Sequence, residues 1–195
     1  MPKLILIKHA APQVKPGLPP ETWALSDKGR QQCKPLAEAI RPLAPAVVLT
    51  SLEPKAAQTG EIVAGELKVP FATVAGLHEH DRSNVPHLQS REFISLVELF
   101  FRKPKELVLG RESAVQALSR FELALQGVLA RYPDQNVAVV SHGTVIALLL
   151  AKYGMKNGAG NGVGNGFELW RKMGLPSYAV IDTAANSVER TVENL

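Results

Sequence analysis

The sequence predicts an α/β fold: three layers, with a mostly parallel sheet covered by helices on both faces. Three observations carry this. Short apolar runs rich in Val and Ile recur along the chain, first at residues 4–7, then at Val47–Thr50 and 137–140. Segments of helical length separate them, so strand and helix alternate, as in parallel strands joined by crossover helices. The leading runs are apolar throughout rather than alternating, as strands buried on both faces are.

The elements follow in order. After the strand at 4–7, Ser26 can cap a helix that runs through Leu36 to Ile40, where Pro42 ends it. The strand at Val47–Thr50 leads into a helix over 53–67, with Ala56, Ala57, Ile62 and Val63 on its inner face. A weaker strand occupies 71–74. Residues 75–111 lack clear strand signals and read as a cap or lid excursion over the sheet. Within it, 92–101 is a very apolar helix, carrying Phe93, Leu96, Val97, Phe100 and Phe101. It suits a core or lid element, with a dimer face as the alternative. A long helix spans 113–132 and stops at Pro133. The strand at 137–140, a helix at 142–153, a short helix at 167–173 and strands at 178–182 and 187–192 complete the order. The stretch 154–166, GMKNGAGNGVGNG, lacks the Gly-Lys-Ser/Thr of a phosphate loop and reads as a flexible surface loop. No repeat or second unit is visible, so 1–195 is expected to form one domain.

Composition narrows the function classes. Hydrophobic residues make up 46% and charged residues 21%, enough for one sizeable core. The net charge of +4 is scattered. Its densest stretch, Arg102-Lys103-Pro104-Lys105, is too short to argue for nucleic acid. Cys33 is the single cysteine, which excludes a disulfide framework and a thiolate metal site. The apolar run at 4–7 is too short for a signal sequence, and no run is long enough to span a membrane. A cytoplasmic protein with neither nucleic acid nor membrane as partner is expected.

Two histidines stand out. His9 follows Leu4-Ile5-Leu6-Ile7-Lys8, and His142 follows Val137-Ala138-Val139-Val140-Ser141. Both lie just beyond a strand's carboxyl end, where open α/β sheets place their ligands. A helix starting after His142 would also aim free N–H groups at an anion there.

Five motifs in register extend this. Lys8-His9-Ala10 follows the first strand. Leu25-Ser26-Asp27-Lys28-Gly29-Arg30-Gln31-Gln32 opens the first helix. Ser51-Leu52-Glu53-Pro54-Lys55-Ala56-Ala57-Gln58-Thr59-Gly60 follows the second strand. Leu77-His78-Glu79-His80-Asp81 lies beyond it, and Val140-Ser141-His142-Gly143 closes the set. With Gly174-Leu175-Pro176-Ser177-Tyr178 near the end, the chain resembles the histidine phosphatase superfamily, whose fold is phosphoglycerate mutase-like. The resemblance covers nearly the whole chain.

The resemblance implies hydrolysis of a phosphomonoester through a phosphohistidine, with no cofactor and no metal. His9 would attack phosphorus and His142 would assist. Lys8, Lys55, Arg82 and the backbone at Gly143 would hold the phosphate. Glu79 would protonate the leaving oxygen and then activate water, its own carboxylate being stabilised by Lys8, Lys55 and His142. Asp81 is a rival for that role. Lys8 and Lys55 stand where the family carries arginine. Charge is kept but the bidentate fork is lost, which implies a weak or specialised phosphatase. Of the two, Lys55 is expected to have room to accept an arginine. Mutase activity is less favoured, because 75–111 shows no clear set of extra cations. Two other readings stay open: a phospholigand-binding or regulatory protein without turnover, and a metal-dependent hydrolase built on His78, His80 and His87.

Overall fold

The computed structural model describes residues 2–86, 88–154 and 166–195. The Gly-rich loop expected at 154–166 therefore lies almost wholly outside the described residues, as does His87.

All six strands form where the apolar runs predict them. They are β1 (Lys3–Lys8), β2 (Val47–Thr50), β3 (Phe71–Thr73), β4 (Val137–Ser141), β5 (Ser177–Asp182) and β6 (Ser187–Val192). The helices are α1 (Asp27–Ile40), α2 (Pro54–Leu67), α3 (Ser90–Arg102), α4 (Ala114–Arg131), α5 (Gly143–Tyr153) and α6 (Gly166–Lys172). Two 3-10 turns, Pro20–Thr22 and Arg41–Leu43, were not expected from sequence. The second takes up Pro42 directly after α1.

The strand order is β3-β2-β4-β1-β5-β6. The first four neighbours are parallel, as expected; β5 pairs antiparallel with β1, and β6 antiparallel with β5. The sheet is thus mixed. Direction is not written in a strand's local pattern, and the hairpin joining β5 to β6 turns the chain back at Thr183–Asn186, with Asn186 in the left-handed region.

Side-chain alternation sorts the strand residues into two cores. Leu4, Leu6, Leu49, Val137, Val139 and Ile181 meet Phe100, Phe101, Phe121 and Leu148 from α3, α4 and α5. Ile5, Ile7, Val48, Ala138, Val140 and Val180 meet Leu36, Ile40 and Val63 from α1 and α2. α3 is therefore core-packed through Val97, Phe100 and Phe101, while Ile94 and Leu99 stay exposed.

Local chemistry fixes the helix ends. Ser26 caps α1, its hydroxyl accepting from Gly29 N at 3.0 Å and donating to Ala11 O at 2.9 Å. Ser113 and Gln116 form a reciprocal capping box on α4. On α2 the buried residues are Lys55, Ala56, Thr59, Gly60, Val63 and Ala64, whereas Ala57 and Ile62 are half-buried. The inner face is rotated from the expected one because Gly60 lets the helix press directly on β2. A Cβ on Gly60 would lie 2.1 Å from Thr50 Cγ2.

This gives a stability prediction with a sign to decide. Gly60→Ala improves helix propensity by about 1 kcal/mol, but overpacking a buried contact costs about 1–3 kcal/mol. The variant should be less stable in urea denaturation. Adding Thr50→Ser, which removes the clashing methyl and keeps the hydroxyl, should recover most of the loss.

Candidate active site

Register places the site. Lys8 pairs with Ser141 across β1 and β4, and Thr50 with Val140 across β2 and β4. The next residues, His9, His142 and Ser51, therefore emerge side by side at three adjacent strand ends. The two imidazoles meet edge to face with centroids 5.2 Å apart.

His9 is buried, and its Nδ1 lies 2.8 Å from Ala10 O. A carbonyl can only accept, so Nδ1 carries the ring proton and Nε2 keeps a lone pair. Burial pushes its pKa down to about 3; the Lys55 and Lys8 charges act in the same direction and the Ala10 carbonyl opposes them. The ring is thus neutral across the physiological range.

His142 is fully buried. Its Nε2 lies 2.9 Å from Ser51 Oγ and 3.3 Å from Glu53 Oε1, and its Nδ1 meets no protein partner among the described residues. Burial, then the neighbouring His9 and Lys55, hold its pKa well below the ordinary value. With a carboxylate facing Nε2, that nitrogen carries the proton and His142 is a neutral donor.

The cations are brought around the pair but are partly engaged by the protein. Lys8 Nζ donates to Met173 O at 2.8 Å. Burial lowers the Lys8 pKa, and the charge of Glu79 opposes that. Gly143 gives its stem room: a Cβ there would lie 3.2 Å from Lys8 Cε and 3.4 Å from Trp170 Cδ1. Lys55 is buried, donating to Pro20 O at 2.8 Å and forming an ion pair with Glu53. The room expected for arginine at 55 is therefore absent. Arg82 is half-buried, 3.8 Å from Glu79 Oε2, with its guanidinium 5.0 Å from the Phe93 ring.

Glu79 joins the same cluster. Its Oε2 accepts from Thr144 N at 3.2 Å and Thr144 Oγ1 at 3.1 Å, and Oε1 accepts from His80 N at 2.9 Å. The N-terminus of α5, expected to face a ligand, thus gives the Thr144 N–H to Glu79. Burial alone would raise the Glu79 pKa. The Arg82 charge and the His80 and Thr144 N–H groups outweigh it, and the net shift is downward. These, rather than Lys8, Lys55 and His142, are the main stabilisers.

Arg120 holds the loop bearing Glu79. It donates to the carbonyls of Gly76 at 2.8 Å, His78 at 3.0 Å and Glu79 at 3.2 Å, and pairs with Glu112 at 2.5 Å. Asp81, the rival acid, binds Ser83 through Oδ1, at 3.0 Å to N and 2.7 Å to Oγ. It stabilises its own turn. His80 is bound to Glu112 O at 3.0 Å and its ring lies 4.2 Å from that of Phe100. Among the described residues no three His, Cys, Asp or Glu side chains come together as a metal site.

Several functional positions were not read from the sequence. Glu53 reads as the first helical residue in the primary structure; in the fold it is the N-cap of α2 and its carboxylate, instead of capping, turns into the site. Its i,i+2 spacing to both Ser51 and Lys55 was the available signal. The motif residues Gln32, Gln58 and Thr59 are scaffold. Gln32 accepts from Ala11 N at 3.2 Å and donates to Leu175 O at 2.7 Å; Gln58 accepts from Leu25 N at 2.9 Å, and Thr59 Oγ1 from Ala10 N at 3.1 Å.

Paired imidazoles, a carboxylate and clustered cations thus stand together at the strand ends of a three-layer α/β fold. The family model of the histidine phosphatase superfamily (branch 1) matches residues 6–161, and the chain belongs to that superfamily. A relative from Bacillus subtilis, the uncharacterized phosphatase PhoE, is 25% identical over 128 residues, 66% of this chain and 63% of its own length. The match thus spans less than two thirds of that relative.

Among solved structures, YhfR of Bacillus stearothermophilus is similar with a TM-score of 0.74, 21% identity and coverage of 99% of this chain and 96% of that one. A mycobacterial glucosyl-3-phosphoglycerate phosphatase complexed with VO3 gives 0.74 and 20%, over 98% and 97%. A phosphoserine phosphatase mutant of Entamoeba histolytica, in complex with phosphoserine, gives 0.75 and 15%, again over 98% and 97%. These likenesses establish the phosphoglycerate mutase-like fold. Among the described residues no helix is long and apolar enough to cross a membrane.

Proposed function

We propose that this chain, read as one histidine phosphatase-like domain with 75–111 as its cap, hydrolyses a small phosphomonoester through phospho-His9. The observation that carries this is the His9 ring, neutral, with Nδ1–H committed to Ala10 O and its centroid 5.2 Å from that of His142. In the first step the Nε2 lone pair forms the P–N bond as the ester P–O bond breaks. Glu79, protonated, gives its proton to the leaving oxygen. In the second step Glu79 takes a proton from water, whose oxygen attacks phosphorus. The P–N bond then breaks and inorganic phosphate leaves. His142, Lys8, Lys55, Arg82 and the backbone at Gly143 stabilise charge on the equatorial oxygens.

A phospholigand-binding protein without turnover is the second reading. One observation favours it: Lys8 and Lys55 are engaged by Met173 O, Pro20 O and Glu53, which weakens their hold on a phosphate. The same engagement makes a slow or specialised phosphatase the form of the first reading. Trapping phosphate on His9 separates the two.

The lysines give a further test. Lys8 runs beside Gly143 and is tied to Met173 O, and Lys55 is buried against Pro20 and Glu53. A longer, planar guanidinium at either place displaces its neighbours. Lys8→Arg and Lys55→Arg should each lower kcat/KM on p-nitrophenyl phosphate by about tenfold or more. A gain at Lys55 would show that the fork restores a missing contact instead.

A further inference from the structure

Glu53 is a buried carboxylate at the site that the proposed reaction does not use. Three donors converge on it. The Lys55 ammonium meets Oε2, the Glu79 N–H donates to Oε1 at 2.8 Å, and His142 Nε2 lies 3.3 Å from Oε1. Its own backbone N–H donates to Ser51 Oγ at 3.2 Å, which fixes the turn that carries it. A cation, a ring N–H and a backbone N–H are the set a phosphoryl oxygen requires.

We propose that Glu53 is a specificity-determining residue: its carboxylate competes with the substrate oxyanion for Lys55 and His142, so that a dianion binds only as Glu53 releases them. This rests on the proposed reading of the site as an oxyanion site. Two consequences follow from charge. Lys8, Lys55 and Arg82 face Glu53 and Glu79, with both histidines neutral, so the pocket is only weakly cationic. A dianion reverses that balance while Glu53 is ionised and neutralises the pocket once Glu53 is protonated.

The groups facing Glu53 are Lys55, itself held by the Pro20 carbonyl, on one side, and His142 with Ser51 on another. Glu79 lies beside it, and His9 stands behind His142. Burial raises the Glu53 pKa, the Lys55 charge and the Glu79 N–H oppose, and the charge of Glu79 adds to the rise. Proton uptake by Glu53 on acidification is therefore the release step, and dianion affinity should increase as pH falls.

Sulfate is the probe, because it stays a dianion across the range and cannot be turned over. Calorimetry on the full chain at pH 8 should show Glu53→Gln binding sulfate about tenfold or more tightly than wild type. The gap should narrow as pH falls, because proton uptake by wild-type Glu53 removes the competing charge. Glu53→Leu, checked by circular dichroism, provides the same comparison should glutamine disturb the fold. Equal or weaker sulfate binding by both variants at pH 8, or no binding by any form, overturns the proposal and assigns Glu53 to holding Lys55 in place. Phosphohistidine trapping reads hydrolysis separately. A tighter-binding variant of a protein that never forms phosphohistidine supports Glu53's role and removes only the hydrolytic reading.

Discussion

Replacing His9 by alanine should abolish hydrolysis of p-nitrophenyl phosphate, a loss on the order of a thousandfold or more. The reason is geometric. Of the two facing rings, His9 has its proton on Nδ1, tied to the Ala10 carbonyl, and a free lone pair on Nε2. The Nε2 of His142 is occupied by Ser51 and Glu53. The remaining lone pair of His142 lies on Nδ1, an atom buried from solvent. The fold should survive, because among the described residues the side chain makes one hydrogen bond, to the adjacent residue. Anion binding should survive too, since Lys8, Lys55, Arg82 and His142 remain. The check is a rate measurement beside a thermal melt and sulfate titration. EDTA should leave the wild-type rate unchanged. Hydrolysis retained by the variant, or lost on chelation, would direct attention to a metal-dependent route.

Glu79→Gln carries the second large effect, and it depends on the leaving group. An alkoxide must be protonated as it departs, whereas p-nitrophenolate needs little help. The variant should lose about 10²–10⁴-fold on an alkyl phosphate and much less on p-nitrophenyl phosphate. The pH dependence has a definite sign. Arg82 and the His80 and Thr144 N–H groups hold the Glu79 pKa below its ordinary value, so the acid form gains population only as pH falls. A bound phosphate dianion raises that pKa again. Rates on alkyl phosphates should therefore increase from neutral toward acidic pH, and the increase should vanish in the variant. Equal losses on both substrates would give Glu79 a positioning role and turn the test to Asp81, which lies two residues on and is bound to Ser83.

Much of this was legible in the primary structure. Apolar runs marked all six strands, and Ser26 and Ser113 marked two helix starts, because burial and capping are local demands. His9 and His142 converge because parallel register aligns Lys8 with Ser141, which follows from two similar strands ending in similar motifs. What stayed hidden depends on contacts distant in sequence. The antiparallel pairing of β5 with β1 has no local signature. Glu53 reads as a helix start until β2, α5 and the Glu79 loop surround it. The engagement of Lys8 by Met173 joins residues 165 positions apart. The rotation of the α2 face follows from one glycine meeting one threonine methyl.

The central claim is that phosphorus is transferred to His9. Mixing the protein with a phosphomonoester, quenching in denaturant at alkaline pH to preserve the acid-labile P–N bond, and mapping the peptides by mass spectrometry tests it directly. The account predicts phosphate on His9 at early times and, with p-nitrophenyl phosphate, whose leaving group needs little help, more of it in Glu79→Gln, where hydrolysis of the intermediate is slowed. Turnover of the substrate with phosphate on no residue, or on a residue other than His9, would contradict it.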